Sequence, residues 1–139
     1  MIVVDVNVVV HLLAGSGKNA AARSLWERDH DWCLPALWRH EFLNVLATLT
    51  RENYLTQGDA VTLWERGVAL FADAERAVDW VQALELAIRN RISAYDAQYV
   101  ALAESLKTTL VTEDARLRKA FPRRCLSLEA AVAMSENGS

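Results

Sequence analysis

Short runs of aliphatic and β-branched residues alternate along this chain with longer stretches of helical period, and that alternation limits the folds open to it. Ile2-Val3-Val4-Asp5-Val6 is the clearest of the short runs. It is apolar at consecutive positions rather than at alternate ones, so both faces of the strand must be covered. Trp32-Cys33-Leu34, Thr109-Leu110-Val111-Thr112 and Arg124-Cys125-Leu126-Ser127 read as further strands, with another short one near Arg76-Ala77-Val78. A helical turn over Val8–Leu13 ends at Gly15-Ser16-Gly17, and a helix over Asn19–Asp29 follows. Further helices are expected over Ala36–Arg51, opened by Pro35, over Thr56–Phe71, residues 80–90 and 94–107, and over Glu113–Phe121, ended by Pro122. Strands alternating with helices build βαβ units, hence an α/β fold with a parallel sheet covered on both faces. Residues 1–134 form one expected domain, and Ser135–Ser139 an expected disordered tail.

Four carboxylates interrupt this apolar pattern. Asp5 stands inside the first strand run, Glu41 on the Leu37, Val45 and Leu49 stripe of its helix, Asp96 at the start of a later helix, and Asp114 just after the Thr109–Thr112 strand. Burying an unpaired carboxylate costs several kcal/mol, so such a group neutralises, pairs or binds a cation. In open parallel sheets, sites form at the carboxyl ends of the strands, where Asp5 and Asp114 fall. Four acids gathered there suit a hard divalent cation, Mg²⁺ or Mn²⁺, and metal-assisted cleavage of a phosphodiester.

Each acid also has an ordinary explanation. Ser93-x-x-Asp96 matches a capping box, Asp114 sits where a helix dipole favours any acid, and Asp5 can cap the turn after it. Glu41 is the hardest to dismiss, because no Lys or Arg stands at the next helical turn to pair with it.

Composition narrows the partners. A net charge of −3 argues against coating nucleic acid through bulk positive charge, though not against a local basic patch. Cys33 and Cys125 form no C-x-x-C pattern and read as buried free thiols of a reducing cytosol. The apolar N-terminus carries Asp5 and lacks a basic start, so no export signal is expected. No apolar stretch reaches the roughly 18 residues of a membrane span, and the chain is expected to be cytoplasmic. Five Trp are many for 139 residues and hint at apolar surface to cover, including at an interface.

The order and spacing of the acids resemble a known family. Val4-Asp5-Val6-Asn7-Val8-Val9 and Glu41-Phe42-Leu43-Asn44-Val45-Leu46 are similar to the first two motifs of PIN-domain nucleases. Tyr95-Asp96-Ala97-Gln98-Tyr99-Val100-Ala101-Leu102-Ala103-Glu104, with Leu110-Val111-Thr112-Glu113-Asp114-Ala115-Arg116-Leu117, resembles the last two. The resemblance covers nearly the whole chain and is to small VapC-type toxins of toxin–antitoxin pairs. It implies a three-layer α/β/α fold and a Mg²⁺- or Mn²⁺-dependent endoribonuclease in which Asp5, Glu41, Asp96 and Asp114 hold metal, directly or through water. Asn7 and Thr112 would then be supporting polar groups, while Arg118 stands where some relatives carry a further acid. The resemblance also implies a homodimer and a cognate antitoxin protein, joined in a toxin–antitoxin hetero-oligomer.

Residues 116–124 hold five of the fifteen basic residues, Arg116, Arg118, Lys119, Arg123 and Arg124, and no acid. Following Asp114, they are candidates for holding RNA phosphates, set against a solvated helix face. Arg39 and His40 are further candidates, and Trp38 or Phe121 could stack on bases, although core packing explains both aromatics. The helices over Ala36–Arg51 and Thr56–Phe71 offer a groove for a partner helix or a dimer face. Other readings are a PIN nuclease of RNA processing and a catalytically inert interaction module. A phosphatase of the haloacid dehalogenase type needs an acid where Asn7 stands, and a response-regulator receiver needs a Lys after a late strand, whereas Lys107 precedes it.

Overall fold

β1 (Ile2–Val4) is the central strand of the sheet, which is why it is apolar on both faces; Val3 and Val4 are wholly buried. The computed structural model describes residues 1–137. From β1 the chain runs through α1 (Val6–Ala14) and α2 (Asn19–Arg28) to β2 (Trp32–Pro35). α3 (Trp38–Arg51) and α4 (Gln57–Phe71) lead to β3 (Glu75–Arg76), and α5 (Trp80–Asn90) and α6 (Ala94–Ser105) to β4 (Leu110–Val111). α7 (Ala115–Ala120), β5 (Cys125–Leu126) and α8 (Leu128–Asn137) complete it.

The strands lie in the order β3-β2-β1-β4-β5 and every neighbouring pair is parallel. Steps from β1 to β3 run one way across the sheet and steps from β3 to β5 run back. Right-handed crossovers therefore put α1–α4 on one face and α5–α7 on the other. The packing agrees: α6 lies on β1, β2 and β4 with α5 against it, while α1 meets α2, α3 and α4, and α8 returns to α2. This is a three-layer α/β/α architecture. The direction of travel reverses between β1 and β4, so a crevice opens at the carboxyl ends of those two strands.

Several boundaries differ from the sequence pattern. α1 is a full helix that starts directly after Asp5, not a single turn. Pro35 closes β2, paired with Arg76, and the next helix begins only at Trp38. The final helix lies where no element was expected, and it contains Ser135–Asn137, three residues of the expected tail. It forms because Leu128 and Ala131 are buried on a helix that packs against α2, because the Ser127 hydroxyl accepts the Ala130 amide, and because Arg28 pairs with Glu136. The rest of that tail, Gly138 and Ser139, lies outside the described residues.

Four of the five Trp join one aromatic seam: Trp26, Trp32, Trp38 and Trp64 interleave with Phe42 and Phe71. Gly67 of α4 lets α3 approach this seam, since a Cβ there would stand 2.5 Å from the Phe42 ring. Trp38 is fully buried and donates its indole N–H to Glu75 at 2.7 Å, so it is core and not a platform for bases. Trp80 is the outlier: with Leu84 and Ile88, also on α5, it forms a stripe at helical spacing that is 57–70% exposed. Cys33 and Cys125 are buried free thiols. No helix among the described residues is long and apolar enough to cross a membrane.

Candidate active site

Asp5 ends the first strand run and starts the helix that follows. Its Oδ1 accepts the Val8 amide at 3.2 Å, the N-cap expected of an acid at this position. Its Oδ2 accepts a hydrogen bond from the Thr112 hydroxyl, which arrives from the end of β4, 107 residues away in sequence. The same Thr112 oxygen accepts the Asp114 amide at 3.1 Å. Because Val4 and Val111 are register partners, the two strand ends lie side by side, and one buried hydroxyl joins them.

Asp114 caps α7 by accepting the Arg116 and Leu117 amides at 2.9 and 3.3 Å. Ser93 caps α6 by accepting the Asp96 amide at 3.0 Å, so the capping reading of Ser93-x-x-Asp96 holds for the backbone. The two acids nevertheless share a cavity of about 390 Å³, lined also by Asn90, Arg91 and Arg116. Glu41 projects from α3, where its Oε1 accepts the Tyr99 hydroxyl at 2.6 Å. It faces a second cavity of about 550 Å³ with Asn7, His40, Asn44 and Tyr95.

Electrostatics link the four acids. Burial raises the Asp5 carboxyl, while the Thr112 hydroxyl and the Val8 and Asn7 amides oppose the rise. Burial also raises Glu41; Tyr99 opposes it, and the charges of Asp96 and Asp5 add to it. Asp96 is raised first by burial and then by Asp114, with Ser93 and Arg116 in opposition. Asp5, Glu41, Asp96 and Asp114 thus form a chain of mutually felt charges at the carboxyl edge of β1 and β4. Among the described residues no three His, Cys, Asp or Glu side chains group closely enough to hold one ion by themselves.

The basic run after Asp114 is divided by the fold. Arg116 lines the acidic cavity with its side chain 91% exposed, 3.9 Å from the Asp114 carboxylate. Arg118 turns inward and donates to the Thr112 carbonyl at 3.0 Å, bracing the end of β4. Lys119 is exposed on α7. Arg124 donates to the Thr108 carbonyl at 2.8 Å, at the amino end of β4, so it and the exposed Arg123 lie at the opposite sheet edge from the acids. Arg39 is bound to Glu75 beside Trp38, whereas His40 is exposed at the Glu41 cavity. Sequence reasoning missed Tyr99 and Arg91. A phenol among small apolar residues, three positions after Asp96, was the available signal for the first.

Comparison with known proteins places these observations in a family. A family model described as PIN domain matches residues 2–121. The chain is 35% identical over 130 residues to the VapC ribonuclease Mb0985 of Mycobacterium bovis, covering 90% of this chain and 94% of that protein. Ribonuclease VapC9 of Mycobacterium tuberculosis matches with the same figures. Ribonuclease VapC3 of Pyrobaculum aerophilum is 34% identical over 88 residues, 62% of this chain and 61% of that one. The fold is similar to the crystal structure of PAE2754 from Pyrobaculum aerophilum, with a TM-score of 0.76 at 18% identity over 98% of this chain and 96% of that one.

Proposed function

Since this chain belongs to the PIN-domain family, as a VapC-type ribonuclease, we propose that Asp5, Glu41, Asp96 and Asp114 form the Mg²⁺- or Mn²⁺-holding centre of an endoribonuclease. One observation carries the reading: at the carboxyl ends of β1 and β4, Asp5 is tied to Thr112, Asp96 and Asp114 share one cavity, and Glu41, which feels the charges of Asp5 and Asp96, faces a second. The donors are all oxygen, which suits Mg²⁺ or Mn²⁺ rather than zinc. Their spread suits a cation that keeps part of its water shell, as Mg²⁺ does. A cation held by these residues would offset charge on the phosphate and lower the pKa of a bound water.

The chain's own residues do the rest. Asp5 is fixed by two donors on two elements, so its orientation is set before anything binds. Asp114 is oriented by the first amides of α7, and Asn7 stands beside Glu41 as a polar neighbour. Arg116, exposed at the mouth of the Asp96 and Asp114 cavity, holds backbone phosphate of the RNA, with Lys119 further along α7. Arg118 serves the fold, and Arg123 and Arg124 lie at the far edge of the sheet.

The protein acts as the toxin of a toxin–antitoxin pair. The groove between α3 and α4, lined by Leu43, Leu46, Ala47, Ala60, Val61 and Trp64, receives an amphipathic helix of the antitoxin. The exposed stripe of Trp80, Leu84 and Ile88 on α5 meets its equal on a second copy across a two-fold axis, where the same apolar patch from each protomer is buried from water.

The test is cleavage of a mixed pool of structured and single-stranded RNA in Mg²⁺ or Mn²⁺. The wild type cuts it, and Asp5→Asn or Asp96→Asn lowers the rate on the order of 100-fold or more while the protein stays folded. A wild type that leaves the pool intact, or variants that cut as well as it does, would refute the assignment.

A further inference from the structure

Tyr99 is the buried polar group that this centre does not yet explain. It lies on α6 three residues after Asp96, so both project from one face of that helix. Its side chain is 2% exposed, and its hydroxyl ends 2.6 Å from Oε1 of Glu41, on α3. A phenol buried to that degree needs a partner, and an unbonded one costs about 1–3 kcal/mol. Its neighbours on α6, Ala97, Val100, Ala101, Leu102 and Ala103, are apolar and buried, so packing alone asks for no hydroxyl at this position.

From this geometry we infer that Tyr99 is a positioning residue: it holds the Glu41 carboxylate by one oxygen and presents the other to a divalent cation. The inference rests on the cation centre proposed above and names a residue outside its four acids. Glu41 needs such help more than its companions. Asp5 and Asp114 are short side chains fixed by backbone amides of their own helices. Glu41 has a longer side chain, and Tyr99 is the hydrogen-bond donor that the structure gives its carboxylate. A freely rotating Glu loses rotamer entropy on binding; one already tied down does not.

Tyr99→Phe keeps the ring and removes only the donor. Mn²⁺ binding to metal-stripped protein, followed by calorimetry or by the spin-resonance signal of free Mn²⁺, should weaken about 10- to 100-fold. RNA cleavage should fall in parallel and recover in excess Mn²⁺, with the KM for RNA unchanged. Val100→Ala, which opens a cavity at the next, fully buried position of the same helix, should lower the melting temperature and leave Mn²⁺ affinity as it is. Wild-type affinity in Tyr99→Phe overturns the inference. An equal loss in Val100→Ala does so too, since it would make the effect one of general packing. A wild type that binds no Mn²⁺ removes the cation centre itself and the inference with it, an outcome distinct from both.

Discussion

At the scale of single residues, burial makes three carboxyl groups of the site, Asp5, Glu41 and Asp96, harder to ionise than free ones. Asp96 gives the cleanest handle, because burial and the charge of Asp114 both raise it. Its folded-state value lies above the roughly 3.9 of an unfolded Asp. The stability it contributes is therefore complete below the unfolded value and is lost as pH rises through the folded one. In chelator at neutral pH, Asp96→Asn should melt higher than the wild type, and the difference should vanish as the pH falls towards about 4. A variant that melts lower at neutral pH would show that Asp96 has a compensating partner. Glu41 and Asp5 were legible as anomalies because acids interrupted apolar patterns, and Asp96 and Asp114 became legible only in company, since Asp114 does cap its helix and Asp96 sits under the Ser93 cap. Tyr99 was hidden for the opposite reason: an aromatic on a buried helix face looks like core, and its hydroxyl acquires meaning only when α3 delivers Glu41 to it.

At the scale of elements, the position of Glu41 depends on how closely α3 approaches α4 and β3. Glu75 at the start of β3 receives the Trp38 indole and the Arg39 guanidinium, which fixes the first turn of α3, the turn that carries Glu41. Phe42, next along, packs over Gly67 of α4. Replacing a mid-helix Gly by Ala ordinarily gains about 1 kcal/mol, but here the added methyl meets a ring that is 1% exposed and has nowhere to go. Gly67→Ala should cost about 1–3 kcal/mol in urea unfolding; a stabilised variant would mean that the two helices separate freely. Helices were legible from their periodicity to within a few residues. The strands were legible as runs but not in length, because pairing is decided by the neighbours: β3 consists of Glu75–Arg76 since those residues meet Leu34 and Pro35. α8 was missed because Ser127 and the small residues after it resemble a fraying end until α2 is there to cover Leu128 and Ala131.

For the whole molecule, the parallel sheet and its two covering layers followed from the alternation of strands and helices, while the strand order did not. Nothing in the local pattern says that β4 inserts beside β1 and not beside β3, yet this order creates the crevice. The exposed stripe of Trp80, Leu84 and Ile88 also belongs to this scale, since only the folded surface shows it uncovered. With a second copy packed there, Leu84→Glu sets two like charges against each other at the seam. It should yield a monomer by light scattering at concentrations where the wild type gives the mass of two copies. A Leu84→Glu protein of unchanged mass would remove α5 from the dimer contact.

The bond between Thr112 and Asp5 has one more consequence, for the order in which the protein comes into being. β1 is made first and must wait for β4, so Asp5 lacks its hydroxyl donor until translation has passed residue 112 and those residues have cleared the ribosome. A nascent chain can form α1–α4 and still lack Asp96, Tyr99 and Asp114, which all follow α5. A cleavage centre built on these acids would therefore assemble only after β4 has been made.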